Sequence, residues 1–234
     1  MSFPAVKIEN LRFRWPKAAM DLLVIDALEI EAGECVFLSG GSGSGKTTLL
    51  SLIGGILPPT AGDITLNGQN LNELSQSQRD HYRANHIGFI FQLFNLIPYL
   101  SVIDNILLAC EFSKIRSEKI KSRSDSLVDE AKRLLTQLEL NDNAILERPV
   151  SALSVGQQQR VATARALIGS PELIIADEPT SALDRDICEK FISLLIQECA
   201  AANCTLLFVS HDQHLCRAFD RTLVLNELNQ AAKS

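Results

Sequence analysis

The chain has 234 residues, 46% of them hydrophobic, and a formal net charge of −6. That length holds one α/β core with attached subdomains but not two such cores, and the acidic balance opposes a nucleic-acid partner, which needs a dense basic surface. No apolar stretch approaches the roughly 20 residues that cross a bilayer, so any membrane role would be peripheral.

The opening residues, MSFPAVKIENLRF, lack a charged segment followed by an apolar core, so no secretory signal is expected and a cytoplasmic location is the default. From Ala5 to Glu31 the pattern alternates and contains β-branched residues, which predicts strands. The run CVFL (Cys35 to Leu38) predicts a strand that leads into GGSGSGKTT (Gly40 to Thr48) and the helix-like TTLLSLI. Gly40, Gly41, Gly43 and Gly45, with Ser42 and Ser44 between them, let successive amides point into one concavity, and the following helix adds its positive end. This spacing wraps a phosphate chain. Lys46 then reaches the β- and γ-phosphates and Thr47 offers a hydroxyl to Mg²⁺, with Thr48, the last residue of the string, a further candidate at the nucleotide. After the turn residues PPTAGD, ITLNG (Ile64 to Gly68) repeats the strand character and completes a small antiparallel sheet beside the nucleotide.

HIGFIFQ (His86 to Gln92) is strand-like and closes on Gln92. Between Leu93 and Ala152 the composition turns to Leu, Lys, Glu and Ser with helical spacing, as in DSLVDEAKRLLTQLEL (Asp125 to Leu140). Within it SKIRSEKIKSR (Ser113 to Arg123) is basic and reads as a solvated helix face, with lipid headgroups as the rarer alternative. LSVGQQQRVATARAL (Leu153 to Leu167) begins with an N-cap at Ser154 and continues as a helix. LIIADEPTSALD (Leu173 to Asp184) starts as a buried strand and delivers two acids where the apolar residues stop. Strand neighbours point to opposite sides, so Asp177 can hold the metal through water while Glu178 orients the attacking water. DICEKFISLLIQECAA (Asp186 to Ala201) predicts a helix, and TLLFVS (Thr205 to Ser210) and TLVL (Thr222 to Leu225) predict strands, with His211 just after the first. The six cysteines form no CxxC pair and several sit in apolar runs, as buried reduced thiols do. His211 and His214 lack nearby cysteine ligands, so a zinc site is not expected. Little chain follows His211, and a regulatory carboxyl-terminal domain is not expected.

Together, the P-loop, LSVGQQQRVATARAL and the Asp177–Glu178 strand, in that chain order, resemble the ATP-binding-cassette (ABC) ATPases, whose signature is usually LSGGQ. The resemblance covers nearly the whole chain. It implies a P-loop NTPase (RecA-like) α/β core of about residues 33–62, 71–92 and 166–234. It adds an antiparallel β subdomain of about 5–32 and 63–70 and an α-helical signature subdomain of about 93–165. It also implies MgATP held between the P-loop of one copy and Ser154, Gly156 and Gln157 of a second, head to tail. Gln92 resembles the Q-loop glutamine that senses the metal and signals to a membrane partner, which it would meet between Gln92 and Leu100. His211 resembles the switch histidine at the γ-phosphate, and Asp184 would couple the two sites. Aligned by ENL, Trp15 matches the aromatic that stacks on adenine, with Phe13 as the alternative. Val155 stands where the family usually has glycine, and its β-branched side chain is costly there if the position needs positive φ.

The segment FQLFNLIPYLSVIDNI (Phe91 to Ile106) is similar to the MacB and LolD branch, whose members drive FtsX-like permeases that span the membrane four times. Export, or extraction of lipoproteins, lipids or peptides, is therefore the implied activity, from the inner face of the cell membrane. An FtsE-like subunit that transmits a signal without moving a solute is the alternative, and a soluble ABC ATPase is the third reading.

Overall fold

The computed structural model describes residues 3–181 and 185–231. Two antiparallel strands open the chain, β1 (Val6–Phe13) and β2 (Leu23–Ile30), followed by β3 (Cys35–Ser39) and the short helix α1 (Lys46–Ile53). β4 (Ala61–Leu66) then returns to β1 and pairs with the two-residue β5 (Gln69–Asn70), so the first sheet has the order β2-β1-β4-β5. The β4–β5 hairpin turns on Asn67 and Gly68, both at positive φ, as a two-residue turn between twisted strands requires. The alternation along β1 breaks between Glu9 and Arg12, where the register against β4 shifts and Asn10 has φ +52. Gly62 faces that bulge, and a Cβ there would lie 2.2 Å from the Asn10 carbonyl oxygen.

The helix α2 (Gln76–His86) has no buried residue, so no apolar period marks it in the sequence; a capping box between Ser75 and Gln78 starts it. His86 is its last residue, which shortens the strand expected from His86 to β6 (Ile87–Ile90). After an irregular stretch come α3 (Val102–Glu111), α4 (Lys114–Lys121) and α5 (Leu127–Gln137), then α6 (Val155–Leu167). β7 (Leu173–Asp177), α7 (Arg185–Ala201), β8 (Thr205–Val209), β9 (Arg221–Val224) and α8 (Leu225–Leu228) complete the order. No helix among the described residues is long and apolar enough to cross a membrane.

The second sheet is wholly parallel, in the order β6-β7-β8-β3-β9. Its unbroken apolar runs are explained by two cores, one on each face. Phe37, Ile174, Leu206 and Phe208 enter the core shared with α3, α5, α6 and α7. Their strand neighbours Val36, Leu38, Ile175, Leu207 and Val209 enter the core shared with α1 and the antiparallel sheet. The basic stretch at α4 keeps Lys114, Lys121 and Arg123 exposed, as expected of a solvated face, but Arg116 and Lys119 turn inward. Arg116 is only 2% exposed and donates to the carbonyls of Ile87, Ala166 and Ile168. Lys119 pairs with Glu172 at 2.7 Å.

Candidate functional site

The polar residues gather at the carboxyl ends of the parallel strands, the expected place in such a sheet. β3 runs into a loop that α1 closes. Gly45, at the N-cap of α1, has φ +100 and Gly43 has φ +75, where a Cβ is strained. Gly40 is needed for space, because its Cβ would lie 2.8 Å from Ser44 Oγ. Gly41 has neither positive φ nor a near neighbour, so the loop does not depend on glycine there, contrary to expectation.

Ser42 through Thr48, with Leu22, Glu178 and His211, line a cavity of about 640 Å³. Lys46 is nearly buried and its ammonium donates to the Gly40 and Gly41 carbonyls at 2.8 and 3.0 Å. Ser44 Oγ is buried without a hydrogen-bond partner, a donor that a phosphate oxygen would satisfy. Thr47 Oγ1 donates to Asp177 Oδ2 at 3.0 Å. A hydroxyl beside a carboxylate is a hard-oxygen donor pair, and these residues fit a magnesium ion. Burial pushes the Asp177 carboxyl above its ordinary range; the Thr47 hydrogen bond and Lys46 oppose this, and the Glu178 charge adds to it. A divalent cation would reverse that balance.

Strand alternation ends one residue before it was expected to act. β7 stops at Asp177, and Glu178 has φ +45, so a left-handed turn aims its carboxylate into the cavity. Its N–H donates to the Val209 carbonyl at 3.0 Å, which ties the turn to β8. A non-glycine residue held there stores about 1–2 kcal/mol. Glu178 Oε2 lies 3.1 Å from His211 Nδ1.

Other expected residues stay outside the cavity lining. Gln92 is exposed two residues past β6, the strand whose last residue, Ile90, pairs with Ala176 of β7. Trp15 is 46% exposed on the loop between β1 and β2 and meets Phe13 edge to face at 5.0 Å. Phe13 is 5% exposed and packed in the core, which removes it as the stacking alternative. Ser154 caps α6 through a capping box: its Oγ accepts from Gln157 N, and Gln157 Oε1 accepts from Ser154 N at 2.9 Å. The Gln157 amide, expected at the nucleotide, is thus engaged within its own helix. Val155 is the first residue of α6, 50% exposed and not at positive φ, so the strain feared for a β-branched residue does not arise. Asp184 lies outside the described residues.

Sequence reasoning missed two polar grips on α6. Gln159 is 1% exposed and its Nε2 donates to the Pro179 carbonyl, next to Glu178, at 2.7 Å. Arg165 donates to the Phe94 and Asn95 carbonyls at 2.6 and 2.7 Å. The available signal for Gln159 was a polar residue in line with Ala162, Thr163 and Ala166, a stripe that is buried throughout.

Residues 25–181 match the family described as ABC transporter. The HrtA ATP-binding protein of Staphylococcus epidermidis, named for hemin import, is 38% identical over 197 residues, 84% of each chain. The lipoprotein-releasing system ATP-binding protein LolD of Chromohalobacter salexigens is 34% identical over 224 residues, 95% of this chain and 91% of that one. A dimeric post-hydrolysis structure of the ATP-binding cassette MJ0796, bound to ADP and Pi, superposes with a TM-score of 0.82 at 34% identity, covering 97% of this chain and 95% of that one. With a phosphate loop, Glu178 and His211 converging on one cavity, Asp177 bonded to Thr47 of that loop, and this likeness along nearly the full chain, the protein belongs to the ABC transporter family as an ATP-binding subunit that hydrolyses ATP to drive transport.

Proposed function

We propose that two copies close head to tail around MgATP and so drive a separate FtsX-like permease of the MacB and LolD kind, for export or for extraction of lipoproteins, lipids or peptides. The observation that carries this is an incomplete site. Lys46, Thr47, Glu178 and His211 face one cavity, while the capped helix start at Ser154 and Gly156 lies outside its lining, positive end exposed. A second copy would supply that end to the γ-phosphate, where helix dipole and Ser154 hydroxyl stabilise charge.

Within the pair, Lys46 and the loop amides hold the phosphates, Glu178 orients the water, and His211 keeps Glu178 and the γ-phosphate in register. Thr47, Asp177 and, on closure, Gln92 would hold the magnesium. When bound, that ion neutralises charge on the β- and γ-oxygens. Trp15 offers its exposed face to adenine, and Asp184 would join the two sites. The division into a RecA-like core, a β subdomain and a helical subdomain at about 93–165 belongs to the same reading.

Permease contact between Gln92 and Leu100 is supported by the surface there. Leu93 is 84% and Tyr99 78% exposed, beside a groove of about 520 Å³ whose lining includes Phe89, Phe91, Leu108 and Phe112. Such a groove suits an amphipathic helix. The subunit would sit on the cytoplasmic face of the inner membrane. Glu178→Gln tests the reading: sedimentation should show dimers at saturating MgATP with turnover reduced at least about a hundredfold. A variant that stays monomeric with ATP bound, or hydrolyses at the parent rate, overturns it.

A further inference from the structure

The stretch between β6 and α3 is irregular yet held at both ends by side chains of different helices. Phe94 and Asn95 are consecutive non-glycine residues at positive φ, +59 and +48, a conformation each resists sterically. The guanidinium of Arg165 spans both their carbonyls, with Nη2 at 2.6 Å from Phe94 O and Nη1 at 2.7 Å from Asn95 O. Burial pushes the Arg165 guanidinium below its ordinary range. Farther along, Asn105 of α3 is fully buried and binds Ile97 through both its N–H and its carbonyl, together with the Leu100 and Ser101 carbonyls. The exposed Leu93 and Tyr99 therefore project from a fixed segment.

Arg165 stands in the last turn of α6, the helix whose start carries Ser154. Six residues earlier, Gln159 holds the Pro179 carbonyl beside Glu178. One rigid helix thus grips the turn that aims the catalytic acid and, about 9 Å further along its axis, the segment that carries Gln92 and Leu93.

We propose that Arg165 is a positioning residue: its two hydrogen bonds lock the Phe94–Asn95 turn to α6, so that movement of this helix on nucleotide closure is delivered to the Gln92–Leu100 segment. This rests on the nucleotide-sandwich reading above. Without the guanidinium the two left-handed residues relax, and the segment moves independently of α6.

Backbone hydrogen exchange on the full chain, in the Glu178→Gln background, tests it. With MgATP the parent should slow exchange at 154–160, where the partner closes, and also at 93–97. Adding Arg165→Met should leave the response at 154–160 in place. At 93–97 exchange should run at least about tenfold faster and no longer respond to MgATP. Arg165→Lys, which retains a single donor group, should fall between the two and serves as the readout if the methionine variant does not fold. A response at 93–97 that survives Arg165→Met overturns the inference. So does faster exchange spread evenly through α3 and α6 in both variants, which would mark Arg165 as merely structural. A parent that responds at 154–160 but not at 93–97 also overturns it, with the sandwich intact. A parent silent at 154–160 removes the sandwich and the inference together.

Discussion

At the scale of single residues, the nucleotide site is held ready by contacts that the substrate must replace. Lys46 donates to two loop carbonyls, and the Thr47 hydroxyl donates a single hydrogen bond to Asp177 beside the Glu178 charge. Partial burial disfavours the Asp177 carboxylate. Asp177→Asn should therefore raise the melting temperature of the protein without nucleotide, while abolishing the magnesium-dependent gain in ATP affinity. Thermal melts with and without MgATP check both halves. Val155 permits an opposite test of strain. Because it is helical and half exposed, Val155→Gly should lower unfolding free energy by about 0.5–1 kcal/mol. A stabilised variant in urea titration would show that the side chain is strained after all.

At the scale of elements, α4 joins the helices to the parallel sheet through the charged Arg116 as well as the buried Ile120. Arg116 answers three backbone carbonyls from β6 and the end of α6, and Gly169 is required beside it because a Cβ there would lie 2.4 Å from Arg116 Cβ. Arg116→Met leaves those carbonyls buried and unpaired, so it should cost roughly 3 kcal/mol, read as a lower urea midpoint with an unchanged slope. Glu172 is the second joint, reached by His86 at 2.9 Å and by Lys119 at 2.7 Å. Burial alone would raise its carboxyl, but the hydrogen bonds and charges of His86 and Lys119 hold it down to about 2. A depressed carboxyl lends stability above its unfolded value and loses it as pH falls through the folded one. Glu172→Gln should thus cost about 1 kcal/mol at neutral pH, since its carboxylate is more than a third exposed and partly screened. The difference from the parent should shrink as pH drops from about 4.5 toward 2.

At the scale of the whole molecule, the proposed head-to-tail pair makes each pocket depend on a second copy. Turnover per subunit should consequently fall when the isolated protein is diluted below its dimer dissociation constant, the total rate approaching second-order dependence on concentration. Activity per molecule that stays flat across a hundredfold dilution would rule out shared sites.

Much of this was legible in the chain before any coordinates. The phosphate loop, the N-cap at Ser154, and the strands at 173–177 and 205–209 are determined locally, by amides, caps and apolar runs whose geometry depends on residues a few positions apart. The exposed α2 was not legible, because a helix without a buried face leaves no apolar period. Nor was the left-handed Glu178, whose turn is held by Val209 from another strand. The inward Arg116, Gln159 and Arg165 were hidden for the same reason. Whether a polar side chain meets water or a distant carbonyl depends on which element covers it, and that is settled only when segments 20 to 71 residues apart pack together. Sequence alone determined the chemistry of the ligand; tertiary packing decided which residues aim at it and which helix ties its pocket to the outer surface, because aim and linkage are long-range properties of a folded chain.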